Sequence, residues 1–144
     1  MKLANLLFFT ILSVWSLLTF SCSKDDTPDA ETSLLIGKWS LYKEDILYSE
    51  QDNQTPNETV TFNDGEEIVT FNSDGTYSSY YDSDIALGTY SYDTDNQEIT
   101  TSYIYEGKTY TGVAKVMELN SISLILYYTD EDGLSYIDYY KRKK

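Results

Sequence analysis

The sequence contains no histidine, a single cysteine and few basic residues. Of its 144 residues, ten are Lys or Arg and 24 are Asp or Glu, so the formal net charge is −14 at pH 7. Because proteins bind nucleic acid by neutralising phosphates with Lys and Arg, this balance argues against a nucleic-acid partner. The missing histidine removes the usual general base near neutral pH. We therefore expect no catalytic residue, no cofactor and no enzymatic activity.

The sequence also gives little support for a serine nucleophile, a catalytic carboxylate pair or a metal site. No serine lies in a Gly-x-Ser-x-Gly elbow. A carboxylate pair for glycoside hydrolysis is conceivable among 24 acids, but sequence spacing cannot place two carboxylates across a sugar. Calcium prefers oxygen ligands, and three segments are rich in them: Asp82–Asp84, Asp93–Glu98 and Asp130–Gly133. Because Asp and Asn are also ordinary turn residues, we predict solvated turns and no metal site.

The N-terminal segment consists of a basic start and a long uncharged run. Lys2 is followed by the apolar run Leu3–Phe20, and the small residue Ser21 comes next. This order is typical of a secretory signal peptide. The run is also nearly long enough to span a bilayer, so an uncleaved membrane anchor is the alternative. We predict that residues 1–21 are a signal peptide that the mature protein lacks.

The only cysteine, Cys22, follows this apolar run directly. It cannot form an internal disulfide, and an exposed lone thiol in an exported protein requires an explanation. The segment resembles the lipobox of bacterial lipoproteins, with Thr19 at the usual leucine position and Leu18 one place earlier. Looser lipoboxes of this kind are similar to those of Bacteroidetes-type lipoproteins. The resemblance implies that Cys22 is acylated and anchors the chain in the outer membrane.

A short polar segment follows the cysteine. Lys24, Asp25 and Asp26 resemble the surface-export signal of the same lipoprotein group, which implies display on the cell exterior. Residues 22–32 are polar and lack periodicity, so we predict a flexible tether. Each buried methylene of an acyl chain contributes about 0.8 kcal/mol, and two or more chains hold a soluble domain firmly. The alternative is a plain secreted protein with an incidental cysteine.

Residues 33–144 have the pattern of one all-β domain. No stretch of ten residues shows a helical apolar period. Short runs rich in Tyr, Thr, Ile and Val alternate with Gly, Asn and Asp, and Asp74-Gly75 is a strong hairpin signal. Consecutive hairpins predict an antiparallel up-and-down meander that closes into a small barrel of about eight strands. The predicted strands are Leu34–Tyr48, Glu66–Phe71, Thr76–Tyr81, Ala86–Asp93, Glu98–Tyr105, Lys108–Leu119, Ile122–Thr129 and Leu134–Tyr140, with a further short one at Val60–Phe62.

The first strand carries a Gly-x-Trp motif, Gly37 and Trp39, which resembles the first strand of lipocalins. The segments at residues 70–77 and 88–93 are more similar to the lipocalin-like domain of bacterial lipoproteins. The resemblance implies that Trp39 packs at the closed end of the barrel and that the domain binds a small, partly apolar ligand. It also implies that the loop Ser49–Thr59 covers the open end.

The chain is rich in tyrosine, with fifteen residues of this type. Tyrosine is common in strands, but rings with a few hydroxyls also line typical small-molecule cavities. The candidate ligand-binding residues are Tyr77, Tyr90, Tyr92, Tyr103, Leu124 and Leu126. Because an eight-stranded barrel can be filled by side chains or hold one small ligand, two functions remain open. The protein is either a monomeric, surface-anchored binding protein or a cavity-free module that contacts a protein or glycan through its tyrosine-rich faces and loops.

Overall fold

The computed structural model describes residues 29–48, 58–105 and 107–144. This part of the chain forms one short helix and nine strands. The elements are α1 Ala30–Leu35, β1 Gly37–Leu47, β2 Glu58–Thr61, β3 Glu67–Phe71, β4 Thr76–Tyr81, β5 Asp84–Asp93, β6 Glu98–Tyr105, β7 Lys108–Leu119, β8 Ser123–Thr129 and β9 Ser135–Arg142.

Several predicted features lie outside the described residues. They are the signal peptide, the acylated Cys22, the export segment Lys24, Asp25 and Asp26, and residues 49–57 of the predicted loop Ser49–Thr59, whose last two residues belong to β2. Within the described part of the chain, no helix has the length and apolar character needed to cross a membrane.

The nine strands form a single antiparallel sheet that closes on itself. Each strand from β3 to β9 pairs with the next, and β1 pairs with both β3 and β9. Closure therefore involves eight strands. The short strand β2 pairs with the second half of β1, along the edge that β3 occupies in the first half. The predicted all-β meander and its closed barrel of about eight strands are confirmed.

The strands have the alternating burial expected of a barrel wall. In β5, for example, Ala86, Gly88, Tyr90 and Tyr92 are partly buried, whereas the residues between them are exposed. Successive side chains of a strand point to opposite faces, so one set faces the interior and the other faces water. The sequence did not define which face points inward, because tyrosines occupy both faces of several strands.

One end of the barrel, here called the closed end, contains most of the apolar core. Its largest fully buried side chains are Trp39, Phe71, Leu35, Leu41, Ile99 and Leu124. Burial of each such side chain contributes about 1.5–3 kcal/mol relative to exposure. This cluster therefore supplies a large part of the stability of the domain.

Helix α1 covers the closed end. Asp29 caps it, because its Oδ1 accepts a hydrogen bond of 2.7 Å from the Thr32 backbone N–H. The sequence placed Ala30–Thr32 in the tether and Leu34 at the start of a strand, whereas both segments are helical and β1 begins at Gly37. A helix of only six residues is too short to show an apolar period, which is why the pattern did not reveal it.

The Gly-x-Trp motif is explained by the packing around Arg142. The Arg142 Cζ lies 4.2 Å from the centre of the Trp39 ring, and its Nη1 donates a 2.8 Å hydrogen bond to the Ile36 carbonyl. Gly37 has a φ of +139°, and a Cβ there would lie 2.5 Å from the same Nη1. Only glycine therefore fits this position without strain.

The polar atoms of the closed end are also paired. Trp39 Nε1 donates a 2.8 Å hydrogen bond to the Leu35 carbonyl. Arg142 further donates to the carbonyls of Leu34 and Ser121. The guanidinium thus joins helix α1, strand β9 and the turn between β7 and β8, and it stacks on the buried indole.

Candidate functional site

The barrel contains a cavity of about 400 Å³ in the half away from helix α1, here called the cavity half. This volume falls within the usual range for small-molecule sites, roughly 300–1,000 Å³. Strands β3, β4 and β6 to β9 supply its walls, together with the β8–β9 turn. The lining residues are Glu67, Val69, Phe71, Tyr77, Ile99, Thr101, Tyr103, Gly112, Val113, Ala114, Leu126, Tyr128, Thr129, Asp130, Glu131, Asp138 and Tyr140.

The cavity opens where β7 extends past β8. Pairing between these strands starts at Lys115 opposite Tyr127, so the first half of β7 has no partner on β8. Val113 in that half and Thr129–Glu131 at the end of β8 both line the cavity. The unequal strand lengths therefore separate the two walls and form the mouth.

The part of the cavity that borders the hydrophobic core, here called its floor, is apolar. Val69, Phe71, Ile99 and Leu126 belong to the hydrophobic core and also line the cavity. Such a floor favours the apolar portion of a ligand, because burying that surface removes it from water.

Tyrosine rings form much of the cavity wall. Tyr103 stacks against Tyr110 at 5.6 Å, and Tyr128 stacks against Tyr136 at 5.1 Å between ring centres. Tyr77 packs against the core at the floor of the cavity, where burial raises its pKa to about 12. Burial likewise raises the pKa of Tyr128. The phenols therefore stay neutral at physiological pH and can both donate and accept hydrogen bonds.

Two carboxyl groups, Glu67 and Asp138, also line the cavity. Asp138 is only 4% exposed. Its Oδ2 accepts a 2.9 Å hydrogen bond from the Tyr140 hydroxyl, whereas no N–H or hydroxyl of the described residues donates to its buried Oδ1. Glu44 of β1 lies opposite Asp138 in the pairing of β1 with β9. The cavity half thus concentrates acidic groups in a region of low solvent access.

The surroundings of these carboxyls raise their pKa values. At Glu67, burial is the largest cause, and the charges of Glu44 and Glu66 add to it, so that the pKa rises to about 7. At Asp138, burial is again the largest cause, and the Tyr140 hydrogen bond opposes it. The charges of Glu44 and Glu67, together with a hydrogen-bonding interaction between the Glu44 and Asp138 carboxyls, reinforce it, so that the pKa rises to about 7. Both side chains therefore titrate near neutral pH.

The charged residues that line the cavity are all acidic: Glu67, Asp130, Glu131 and Asp138. The basic side chains that make specific contacts lie elsewhere. Lys43 pairs with Asp45 at 2.7 Å, and Lys143 pairs with Asp64 at 3.0 Å. Arg142 is held on Trp39 at the closed end. The negative charge of the cavity is consequently not neutralised by a lining Lys or Arg.

Three of the six ligand-binding candidates line the cavity: Tyr77, Tyr103 and Leu126. The other three belong to the closed end. Tyr90 packs on Phe71 at 4.9 Å and donates to the Asn72 carbonyl, and Tyr92 donates to Glu31 of helix α1 at 3.5 Å. Leu124 is fully buried in the core. These three side chains share the inward face but lie at a different depth along the barrel.

None of the acidic residues that line the cavity was among the candidates predicted from the sequence. The signal for them is a carboxylate within an inward-facing alternation. Glu67 precedes Val69 and Phe71 at two-residue spacing, and Asp138 lies between Tyr136 and Tyr140 at the same spacing. A charged residue that keeps the period of the buried face is a candidate for function, because such burial is costly.

The acidic turns use their oxygens within the turn itself. Asp93 accepts hydrogen bonds from the backbone and side chain of Asn96. Asp130 accepts from the Leu134 backbone and the Tyr136 hydroxyl. In the ranges that the structure describes, no group of three or more His, Cys, Asp or Glu is arranged to hold a metal ion.

Comparison with known proteins gives one family match. No curated protein sequence matches the chain significantly. Among solved structures, a DUF4847 family protein from Bacteroides vulgatus ATCC 8482 is 14% identical to this chain, with a TM-score of 0.49. The match covers 79% of this chain and 98% of that one. The family model described as lipocalin-like domain (DUF4923) matches residues 49–130, more than half of the sequence. The chain therefore belongs to this lipocalin-like domain family.

Proposed function

We propose that this protein is a lipid-anchored surface protein that binds a small, partly apolar ligand inside its barrel and catalyses no reaction. The observation that carries the proposal is the cavity of about 400 Å³, with an apolar floor and tyrosine walls. A cavity of this size supports the proposal over its alternative, a barrel filled by side chains that contacts a protein or glycan through its outer faces. A monomeric domain suffices, because one chain supplies all the lining residues.

The proposed anchor is the acylated Cys22, exposed after removal of residues 1–21. Lys24, Asp25 and Asp26 would direct the protein to the outer face of the outer membrane. The position of helix α1 supports this arrangement, because the described domain begins at the closed end, at Asp29. The tether would therefore reach the barrel at the end opposite the mouth. A ligand in the surroundings would then enter from the side that faces away from the membrane.

Native mass spectrometry of the protein recovered from its own host tests the ligand proposal. We expect a bound small molecule that Gly112→Leu removes, because the new side chain projects into the cavity from its wall. A Cβ at Gly112 makes only a 3.4 Å contact with Thr101 Oγ1, so the fold should tolerate the change. Gly112→Ala is the matched control and should keep the molecule. An unchanged complex with Gly112→Leu would place the ligand outside the cavity and contradict the proposal.

Fractionation of cells tests the anchor independently. Cys22→Ser should release the protein from membranes, whereas Ser23→Ala, the neighbouring control, should not. Replacing Lys24, Asp25 and Asp26 by Ala should lower surface labelling of intact cells and leave thermal stability unchanged. Membrane retention of Cys22→Ser with an intact N-terminal run would contradict acylation, and equal labelling would contradict the export role.

A further inference from the structure

The cavity contains a strong hydrogen-bond acceptor that receives no N–H or hydroxyl donor from the described residues. Asp138 is 4% exposed and its Oδ2 receives the Tyr140 hydroxyl. Its Oδ1 receives no N–H or hydroxyl from the described residues, and the Glu44 carboxyl that it interacts with is itself acidic. A buried unpaired acceptor destabilises the fold, and more so when it is charged. Native structures rarely keep such a group without a reason. Because Asp138 lines the cavity, the missing donor can come from a ligand.

The charges around this acceptor favour a ligand of one sign. Glu67 lines the same cavity, and Asp130 and Glu131 lie at its mouth. An anionic ligand would be repelled by these groups, and a neutral one would leave their charge uncompensated. A cleft lined by charges of one sign raises the local concentration of counter-ions and steers them inward.

The tyrosines add a second attraction for a cation. Tyr77, Tyr103, Tyr128 and Tyr140 all line the cavity that holds the two carboxyls. A cation near an aromatic face is attracted by the negative charge of that face, most strongly at desolvated sites. The apolar floor beyond the rings then accommodates the uncharged part of the same molecule.

We propose that the ligand is an organic cation, a protonated amine on an apolar or aromatic body, whose nitrogen binds between Asp138 and Glu67 while its body rests on the floor of the cavity. This inference rests on the proposed function and specifies its ligand class. The amine would donate a hydrogen bond to Asp138 Oδ1. Its positive charge would neutralise the carboxylates, because none of the described Lys or Arg residues lines the cavity to do so.

Proton binding competes with cation binding at this site. The titratable groups that face Asp138 come from every wall near it: Glu44 on β1, Glu67 on β3, Tyr77 on β4, Tyr128 on β8 and Tyr140 on β9. None of them is basic. Without a ligand, Asp138 and Glu67 take up protons near pH 7, because burial and mutual repulsion disfavour their charges. A bound cation displaces the proton, so its affinity rises with pH.

Calorimetric titration of the full-length protein with three matched probes tests this inference. The probes are 2-phenylethylamine, its N,N,N-trimethyl quaternary ion and 2-phenylethanol. At pH 8 we expect the amine to bind at least about tenfold more tightly than the alcohol, which lacks the charge. The quaternary ion carries no proton of its own. Its affinity should rise about tenfold to thirtyfold from pH 5.5 to pH 8 as the carboxyls ionise.

Variants assign the effect to the cavity. Asp138→Asn should abolish the preference for amine over alcohol and flatten the pH dependence, and Glu67→Gln should weaken both. Glu98→Gln removes an exposed acid on β6 that does not line the cavity and should change neither. If Asp138→Asn does not fold, Glu67→Gln and the pH series of the unmodified protein still decide the question.

The outcomes separate this inference from the proposed function. Equal or tighter binding of the alcohol overturns the cation inference and leaves a ligand-binding barrel. Binding of none of the three probes also overturns the inference, and the proposed function is then decided by the molecule recovered from the host. An amine preference that Glu98→Gln reduces as much as Asp138→Asn would reflect overall protein charge and overturns the assignment to the cavity.

Discussion

The interior of the barrel differs between its closed end and its cavity half in the pairing of one buried polar group. At the closed end, the indole N–H of Trp39 has a carbonyl partner, and the Arg142 guanidinium donates to three carbonyls while stacking on the same ring. In the cavity half, Asp138 is equally buried, but no N–H or hydroxyl of the described residues donates to its Oδ1. The polar groups of the closed end thus find their partners within the chain. In the cavity half, one buried carboxylate oxygen has no N–H or hydroxyl donor in the described part of the chain.

This difference separates stability from function along the barrel axis. Paired and tightly packed groups at the closed end stabilise the fold, whereas buried acids with raised pKa values destabilise it at neutral pH. Sites for ligands commonly reduce stability, because their groups are arranged for a partner that is absent during folding. Substitutions in the two halves should therefore have effects of different size and sign.

The largest effect is expected for Trp39→Ala at the closed end. The ring is fully buried, so its removal should lower the free energy of unfolding by about 3–5 kcal/mol. Urea denaturation measures the change. Ile85→Ala, on the outer face of β5 at 60% exposure, is the control and should shift stability by no more than about 0.5 kcal/mol. Similar losses for both would mean that the closed end is not the stabilising core.

A pair of glycine substitutions compares the halves directly. Gly37→Ala places a side chain at a φ of +139° and 2.5 Å from Arg142 Nη1, so we expect a loss of about 1–3 kcal/mol in unfolding free energy. Gly112→Ala in the cavity wall meets only a 3.4 Å contact and should change stability by about 0.5 kcal/mol or less. Thermal and urea unfolding of the two variants should preserve this order; a reversed order contradicts the account.

Removing the buried acid of the cavity half should have a smaller effect than Trp39→Ala, and its sign should be opposite. The pKa of Asp138 is raised above its unfolded value of 3.8 to about 7, so the folded state loses stability as pH rises through this window. Asp138→Asn removes that loss, so the change in unfolding free energy that it causes should be about 1–2 kcal/mol more stabilising at pH 8 than at pH 5. Urea midpoints at both pH values measure the change. Destabilisation by Asp138→Asn at pH 8 would show that the carboxylate supports the fold.

The sequence was most informative where structure depends on local pattern. Two-residue alternation and the turn at Asp74-Gly75 define the strands, and Gly75 indeed has a φ of +80°. The closing pair of β1 and β9 followed from the meander alone. Helix α1 was not predicted, because six helical residues behind a capping residue are too few to show an apolar period.

Which residues line the cavity could not be predicted from the local sequence pattern. Tyr90 and Tyr103 have the same strand alternation, yet one packs in the core and the other lines the cavity. Depth along the barrel depends on register, and bulges at Leu41/Lys43 and Val116/Glu118 change that register. The environment of Asp138 likewise arises from strands distant in sequence, because Glu67 and Tyr77 meet it only after closure.

The most direct test of the account is the titration of the Asp138 carboxyl by carbon-13 NMR, with and without 2-phenylethylamine. The central claim is that the cavity half contains acids whose missing partner is a cationic ligand. We expect the Asp138 carboxyl to have a pKa of about 7 in the free protein. Its pKa should decrease clearly when the amine saturates the site, because the bound cation stabilises the carboxylate. A pKa near 4 in the free protein, or an unchanged pKa at saturating amine, would contradict the central claim.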